Sequence, residues 1–169
     1  MAMKFEDLRV LQTAEGLADD VWRRVVRWDW FARDVVGKQL AKAADSIGAN
    51  IAESYGRFHY GEKLQFLYYA RGSLFETKYW LNRALARELI STEQVQDYVS
   101  QLTGLARQLN AFASTLKSQR RGDHAKPKAV REAAGEYVMD WVNDTTESLF
   151  TQYELEWLET VSQYPIPNT

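Results

Sequence analysis

Residues 46–76 read SIGANIAESYGRFHYGEKLQFLYYARGSLFE, and this stretch decides how the chain folds. Small residues and a polar series stand where an ordinary amphipathic helix carries leucines. Apolar residues at helical spacing lead into the stretch and follow it, so it holds the end of one helix and the start of the next. Gly56 suits the left-handed conformation that ends a helix, and RFHYG is a short connection. We therefore expect two consecutive antiparallel helices here.

Outward from this stretch, apolar spacing predicts four long helices within residues 1–118. The first begins near Ala14, the second after an N-cap at Asp29, the third just after Gly61, and the fourth at the capping box that starts with Ser91. No proline precedes residue 127 to interrupt them. Because short links join long helices, we predict an all-α fold, an up-and-down antiparallel four-helix bundle with an additional C-terminal helix.

Charge and turn residues divide the 169-residue chain into three parts. Residues 1–118 form the predicted bundle. Residues 119–128 are polar, basic and broken by Gly122 and Pro127, which is typical of a linker. Residues 129–169 form an acidic helical extension and tail, with 9 Asp and Glu against 3 Lys and Arg after residue 121. The extension can dock on the basic body or bind a partner, and the sequence leaves both interpretations open.

Composition excludes several kinds of site. Without cysteine there are no disulfides, thiolate nucleophiles or Cys-ligated zinc or iron–sulfur centres. His59 and His124 lack the Glu three residues earlier that di-iron bundles use. P-loop, dinucleotide and Gly-x-Ser-x-Gly motifs are absent. We therefore predict no metal, no cofactor and no enzymatic activity. The chain shows no signal peptide and no apolar run near the ~20 residues of a membrane span, so we expect a cytoplasmic protein.

Two polar lines run beside the apolar stripes of the second and third helices. The first comprises Ser46, Asn50, Glu53 and Arg57, and the second comprises Tyr69, Ser73, Glu76, Trp80 and Arg83. Glu53 and Glu76 permit one interpretation, a pair of carboxylates for acid–base catalysis. We favour a hydrogen-bonded polar layer that fixes the register between helices or subunits, because no nucleophile or imidazole accompanies the carboxylates.

Small residues and surplus aromatic residues indicate close contacts between helices or subunits. Gly48 and Gly72 lie in helix interiors, where glycine costs roughly 0.5–1 kcal/mol relative to alanine, so each needs a packing reason. The aromatic residues that fall beside the main apolar stripes are Trp22, Trp30, Tyr68 and Trp80. Exposed aromatic side chains often mark a protein–protein surface. We therefore expect a homo-oligomer.

Basic residues provide a candidate nucleic-acid surface. They are Arg23, Arg24, Arg27, Lys38, Lys42, Arg120 and Arg121. Phosphate contacts from such residues give salt-dependent affinity without sequence preference. A solvated helix face shows the same pattern, and the acidic C-terminal part slightly favours that alternative.

Four short pieces of the sequence together resemble the pattern of a known bacterial family of four-helix bundles. They are Ala-Asn-Ile-Ala-Glu at 49–53, Gly-Arg at 56–57, Gly-Ser-Leu at 72–74, and Glu76. Its members were first noticed as proteins encoded within intervening sequences of 23S rRNA genes. The accessory variability proteins of diversity-generating retroelements look like members of the same family. The resemblance covers roughly residues 5–118. Ser54 stands where the family commonly has glycine, and the acidic extension runs past the usual end.

The resemblance implies an up-and-down bundle that assembles into a homopentameric ring or barrel. For the retroelement relatives it also implies binding to a reverse transcriptase and, through a basic surface, to nucleic acid. It brings no catalytic residue. Together with the spacing, it assigns structural or interface roles to Ser46, Asn50, Glu53, Gly56, Arg57, Gly72, Ser73 and Glu76.

These patterns support three functional hypotheses. The favoured one is a non-enzymatic, homo-oligomeric helical-bundle scaffold or adaptor protein, with itself as partner and a pentamer as its state. The second is a nucleic-acid-binding accessory factor of a reverse transcriptase. The third, and least favoured, is an enzyme that uses Glu53 and Glu76.

Overall fold

The computed structural model describes residues 7–124 and 148–161, and every regular element in those ranges is helical. The helices are α1 (Arg9–Val25), α2 (Trp30–Ala32), α3 (Lys38–Gly56), α4 (Tyr60–Ala86), α5 (Thr92–His124) and α6 (Gln152–Glu159). One π-helical turn, Arg33–Gly37, joins α2 to α3, so these three pieces form a single rod. The predicted all-α fold with a C-terminal helix is confirmed. None of the helices in the described ranges combines the length and apolar character that crossing a membrane requires.

The four long helices close into a bundle. α1 packs on α3, α3 on α4, α4 on α5, and α5 returns to α1. Links of a few residues join consecutive helices, so neighbours run antiparallel. The wholly buried side chains between them include Leu17, Leu40, Ile47, Ile51, Leu67, Leu74, Tyr98, Leu102 and Leu105. α6 lies outside this ring of four and packs on α5.

Two helix starts follow the predicted caps. The Oδ1 atom of Asp29 accepts hydrogen bonds from the backbone N–H groups of Phe31 and Ala32, at 2.9 and 3.1 Å. The Oγ atom of Ser91 accepts from the N–H of Gln94 at 3.3 Å, and the N–H of Ser91 donates to Oε1 of Gln94 at 2.9 Å. These side chains satisfy backbone donors that have no partner within the helix.

The end of α3 differs from the prediction for Gly56. Among the described glycines none has a positive φ, so the left-handed conformation expected at Gly56 was wrong. The chain instead turns because Arg57 is extended, with φ −75° and ψ 146°. The Oγ atom of buried Ser54 donates to the carbonyl oxygen of Lys63 at 2.8 Å. This bond ties the end of α3 to the first turn of α4, so the reversal needs no left-handed residue.

The left-handed residue in the described ranges is Glu88, with φ 57°. It lies just beyond α4, where the N–H of Leu89 donates to the carbonyl oxygen of Ala84 at 2.9 Å. This six-residue closure is the Schellman arrangement, which usually has glycine in the left-handed position.

α5 continues to His124, past residue 118 at which we expected the linker to begin. The helix passes through Gly122, whose cost of roughly 0.5–1 kcal/mol a long helix tolerates. Of the acidic extension, residues 148–161 are described and contain α6. The rest of the predicted linker and extension, residues 125–147 and 162–169, lies outside the described residues.

Candidate interaction surfaces

The two polar lines meet along the seam between α3 and α4. Asn50 joins them, since its Nδ2 atom lies 3.4 Å from Oγ of Ser73 and donates to the carbonyl oxygen of Ser46 at 2.8 Å. The Oγ atom of Ser73 donates to the carbonyl oxygen of Tyr69 at 3.1 Å. All of these atoms belong to two helices that pack closely, so a shift in register by one residue breaks the contact.

The charged members of the polar lines lie at the surface. Glu53 forms an ion pair with Arg57, one helical turn later on the same helix. The guanidinium of Arg57 also lies 4.6 Å from the centre of the Phe66 ring. Glu76 is exposed. Glu53 is therefore engaged with a cation of its own helix, an arrangement typical of a solvated helix face.

Gly48 and Gly72 have different surroundings. A Cβ atom at Gly48 would lie 3.8 Å from Cβ of Ala14 and 4.0 Å from Cδ1 of Leu11, which are ordinary contacts with α1. Gly72 is exposed, and a Cβ atom there meets no neighbouring atom within 4 Å in the described part of the chain. Within one chain Gly72 therefore serves no close helix contact, and its role between subunits stays a prediction.

Exposed aromatic side chains gather where α1 ends and α2 begins. Trp22 is 59% exposed, Trp30 is 71% exposed and Phe31 is 66% exposed. Trp22, Trp30 and Val26, itself 41% exposed, line a common groove of about 340 Å³. We call these three residues the Trp22–Trp30 face. The predicted exposure of Trp22 and Trp30 is confirmed.

Some of the candidate nucleic-acid-binding residues border this face. Lys38 lines the groove of the Trp22–Trp30 face together with Arg33. Lys38 and Lys42 line a second groove of about 370 Å³, which shares Trp22 as a wall. Trp22 thus borders two grooves that carry Arg33, Lys38 and Lys42 together with the carboxylates of Asp34 and Asp45.

Other candidate cations are engaged within the chain. Arg23 lies 3.6 Å from the carboxylate of Asp20. The Nε atom of Arg24 donates to the hydroxyl of Tyr98 at 2.9 Å, and its guanidinium lies 5.5 Å from the centre of that ring. Burial raises the pKa of Tyr98, against the opposing influence of Arg24. Arg27 is exposed, and the pair at positions 120 and 121 belongs to α5.

The C-terminal segment, residues 148–161, docks on α4 and α5. Asn110 of α5 pairs with the backbone of Phe150, donating to its carbonyl oxygen at 2.9 Å and accepting from its N–H at 2.6 Å. The Phe150 ring is 1% exposed and stacks on Phe75 of α4, with ring centres 5.8 Å apart. Phe75 also stacks on Trp157 at 5.4 Å. Phe75 therefore contacts two rings of the segment.

A buried lysine binds the C-terminal end of α6. Lys78 of α4 is 1% exposed, and its Nζ atom donates to the carbonyl oxygens of Trp157, Leu158 and Thr160 at 2.7, 2.6 and 2.5 Å. Nζ also lies 4.5 Å from the centre of the Trp157 ring. The last carbonyls of a helix have no intrahelical partners and carry partial negative charge, so an ammonium group complements them. Burial lowers the pKa of Lys78 to about 8.

Two arginines hold the acidic side chains of α6. Arg71 forms an ion pair with Glu154, and Nη2 of Arg107 lies 2.7 Å from Oε1 of Glu159. Glu154 also closes a capping box with Thr151, whose N–H donates to Oε2 of Glu154 at 2.9 Å. Burial opposes ionisation of Glu154, but the hydrogen bond from Thr151 and the charge of Arg71 outweigh it and lower the pKa of this carboxyl. We call Arg71, Phe75, Lys78, Arg107 and Asn110 the α4–α5 groove.

Sequence reasoning did not single out the α4–α5 groove. One signal was present, because Lys78 lies four residues after Leu74 and three before Leu81 on the buried stripe of α4. A lysine at an apolar position of a stripe indicates a buried partner. Asn110 carries no such signal, since its partner is backbone forty residues later.

The four packed helices and the polar seam between α3 and α4 define a four-helix-bundle protein, on which a C-terminal helix docks. A family model described as the 23S rRNA-intervening sequence protein matches residues 6–111, more than half of the chain. The chain belongs to this family. No curated protein matches it. The match contains the α4–α5 groove, whereas the C-terminal segment lies beyond its end.

Proposed function

We propose that the protein is a non-enzymatic, homo-oligomeric scaffold or adaptor of the cytoplasm, with a pentamer as its assembled state. The Trp22–Trp30 face carries the proposal. Large aromatic side chains bury ~150–250 Å² each when covered, so two indole rings exposed by more than half leave roughly 200–300 Å² of apolar surface in water. An apolar patch of this size on a folded domain is often functional, and we propose that another protein covers it. The ion pair of Glu53 with Arg57 supports a structural role for the polar line.

A second copy of this chain is the partner we propose for the face. The resemblance to the family implies a homopentamer, and a ring brings together two different surfaces of neighbouring subunits. A stable interface buries about 800 Å² per partner, so the Trp22–Trp30 face supplies its centre and polar residues around it supply the rim. Exposed Gly72 and Glu76 lie on the family motif and belong to the second surface.

The test removes the apolar centre of the interface. Trp22→Glu together with Trp30→Glu places two charges on the face, so we expect the oligomer to dissociate to monomers in light scattering at micromolar concentration. Far-ultraviolet circular dichroism checks that the helices persist, since both side chains are exposed. The matched control is Tyr153→Glu, an exposed aromatic of α6 that is 76% exposed, which leaves the mass unchanged. A monomeric unmodified chain, or an unchanged mass of the double variant, contradicts the proposal.

A second candidate function is nucleic-acid binding as an accessory factor of a reverse transcriptase. Lys38 and Lys42 line grooves that share Trp22 as a wall, which favours it. Phosphates bind the cations, and unpaired bases stack on exposed indole rings. Because the contacts are mainly electrostatic, the affinity falls steeply as salt concentration rises.

Fluorescence anisotropy with a labelled single-stranded RNA tests the second candidate. We expect binding at low salt and a loss of at least about tenfold in affinity for Lys38→Glu with Lys42→Glu. Arg9→Glu with Arg87→Glu is the matched comparison, because it makes the same change in net charge at exposed positions that line neither groove. Absence of binding by the unmodified chain at low salt removes this candidate and leaves the scaffold proposal intact.

A further inference from the structure

The α4–α5 groove and the C-terminal segment relate to one another as a binding site and its ligand. The groove lies within the residues that match the family, and the segment lies outside them. Side chains of α4 and α5 contact the segment in a fixed order along its length. Asn110 meets its start, Arg71 its middle and Lys78 its end.

We propose that the α4–α5 groove is a docking site for the C-terminal segment of a second copy of this chain, so that neighbouring subunits exchange their C-terminal helices. The inference rests on the proposed homo-oligomer and names the contact that links its subunits. Each groove then holds a helix supplied by the next chain.

Charge complementarity identifies the occupant as an acidic helix. Residues 148–161 carry three acidic side chains and no basic one. The groove opposes them with three cations, Arg71, Lys78 and Arg107, of which Lys78 is buried beneath the end of α6. An approaching basic or neutral helix leaves Arg71 and Arg107 without acidic partners, which disfavours it.

Chain length permits the exchange. The 23 residues between His124 and Ser148 span at most roughly 75–80 Å by covalent geometry. The distance along α5 from Asn110 to His124 is only about 21 Å at the helical rise. The connection is thus far longer than docking on the same chain requires, and it can reach a groove on an adjacent subunit.

Energetics do not oppose the exchange. The same hydrogen bonds, ring contacts and ion pairs form whether the segment comes from the same chain or from its neighbour, as in domain swapping. Within an oligomer a neighbour's segment is present at an effective concentration of order millimolar, comparable with that of the chain's own. Exchange therefore adds links between subunits without new contacts.

Site-specific cross-linking distinguishes the two arrangements, since the chain has no cysteine of its own. Arg107→Cys in one chain and Glu159→Cys in a second, separately tagged chain are produced together and treated with a short bis-maleimide. Both positions are exposed, and Arg107 of the groove contacts Glu159 of the docked segment. We expect a product joining the two tags. Arg107→Cys paired with Glu15→Cys, an exposed position on α1, controls for random proximity.

Charge exchange sharpens the test. Arg71→Glu is placed in one chain and Glu154→Arg in the other, so that each chain alone has a mismatched pair and only exchange restores opposite charges. We expect the yield of the joined product to rise at least about threefold over that of the two cysteine-bearing chains that keep Arg71 and Glu154. A single chain that carries both Arg107→Cys and Glu159→Cys reports cross-linking within one subunit. If that chain cross-links efficiently and the two-chain sample gives no joined product above the control, the exchange is overturned. The native mass of the two-chain sample then shows whether mixed oligomers persist; if they do not form, the proposed homo-oligomer is overturned as well.

Discussion

The Nζ atom of Lys78 lies 2.6 Å from the carbonyl oxygen of Leu158, eighty residues later in the chain. The same ammonium group also donates to the carbonyls of Trp157 and Thr160. One buried cation therefore both terminates α6 and fixes it to α4. All three bonds require the ammonium form, because a neutral amine has only two N–H groups. Burial acts in the opposite direction and lowers the pKa of Lys78 to about 8.

The contribution of Lys78 to stability should change with pH. Its pKa is about 8 in the folded chain against 10.5 for the free side chain, so between these values the unfolded state binds more protons and the free energy of unfolding rises with pH. Between pH 7.5 and 9.5 we expect the unfolding free energy of the unmodified chain, minus that of Lys78→Met, to rise by about 2 kcal/mol. Chemical denaturation at each pH measures it. A difference that stays constant would show that the three carbonyls cancel the effect of burial.

Asn110 should be the polar anchor of the C-terminal segment. Asn110→Ala removes both hydrogen bonds to Phe150 and leaves its backbone N–H and carbonyl without these partners, so we expect a loss of about 1–3 kcal/mol in unfolding free energy. Gln101→Ala, at an exposed position of the same helix, should change it by no more than about 0.5 kcal/mol. Urea denaturation compares them, and equal losses would contradict docking at Phe150.

Gly37 should not tolerate a side chain. A Cβ atom there would lie 2.5 Å from Cγ1 of Val25, so Gly37→Ala should cost about 1–3 kcal/mol through overpacking. Val25→Ala in the same chain should recover part of that loss in a double-mutant cycle. Gly16→Ala, at an exposed position inside α1, is the matched control, because a Cβ atom there meets no atom of the described residues within 4 Å and alanine should add about 0.5–1 kcal/mol. Equal effects at the two glycines would refute the close approach at Gly37.

Replacing Glu88 with glycine should stabilise the folded chain. Its φ of 57° brings Cβ close to the backbone, so Glu88→Gly should raise the unfolding free energy by about 1 kcal/mol. Glu88→Ala keeps the Cβ atom and should bring no such gain. Denaturation curves of the three chains decide the matter, and a gain with alanine equal to that with glycine would exclude relief of backbone strain.

The helical rods and their caps could be predicted from the sequence because they depend on local pattern. Asp29 and Ser91 act on backbone groups two or three residues away, and both predictions hold. Exposure could be predicted for Trp22 and Trp30 but not for Tyr68 and Trp80, which are half-buried against the core. A ring beside an apolar stripe packs one face on the core while the other stays in water, and spacing alone does not distinguish these cases.

The features that escaped prediction depend on contacts between distant residues. The π-helical turn places Gly37 against α1, and no helical periodicity marks it. The end of α3 is set by the bond from Ser54 to Lys63, which makes the left-handed glycine unnecessary. Docking of α6 depends on pairs such as Arg71 with Glu154, separated by 83 residues. Their charges were visible in the sequence, but their pairing required the fold.

Native mass spectrometry of the unmodified chain tests the central claim most directly, because it counts the subunits of the assembly. The scaffold proposal predicts a homo-oligomer, with the pentamer as the dominant species and little free monomer at micromolar concentration. A monomer across that range would contradict it, and would leave the Trp22–Trp30 face to a different partner.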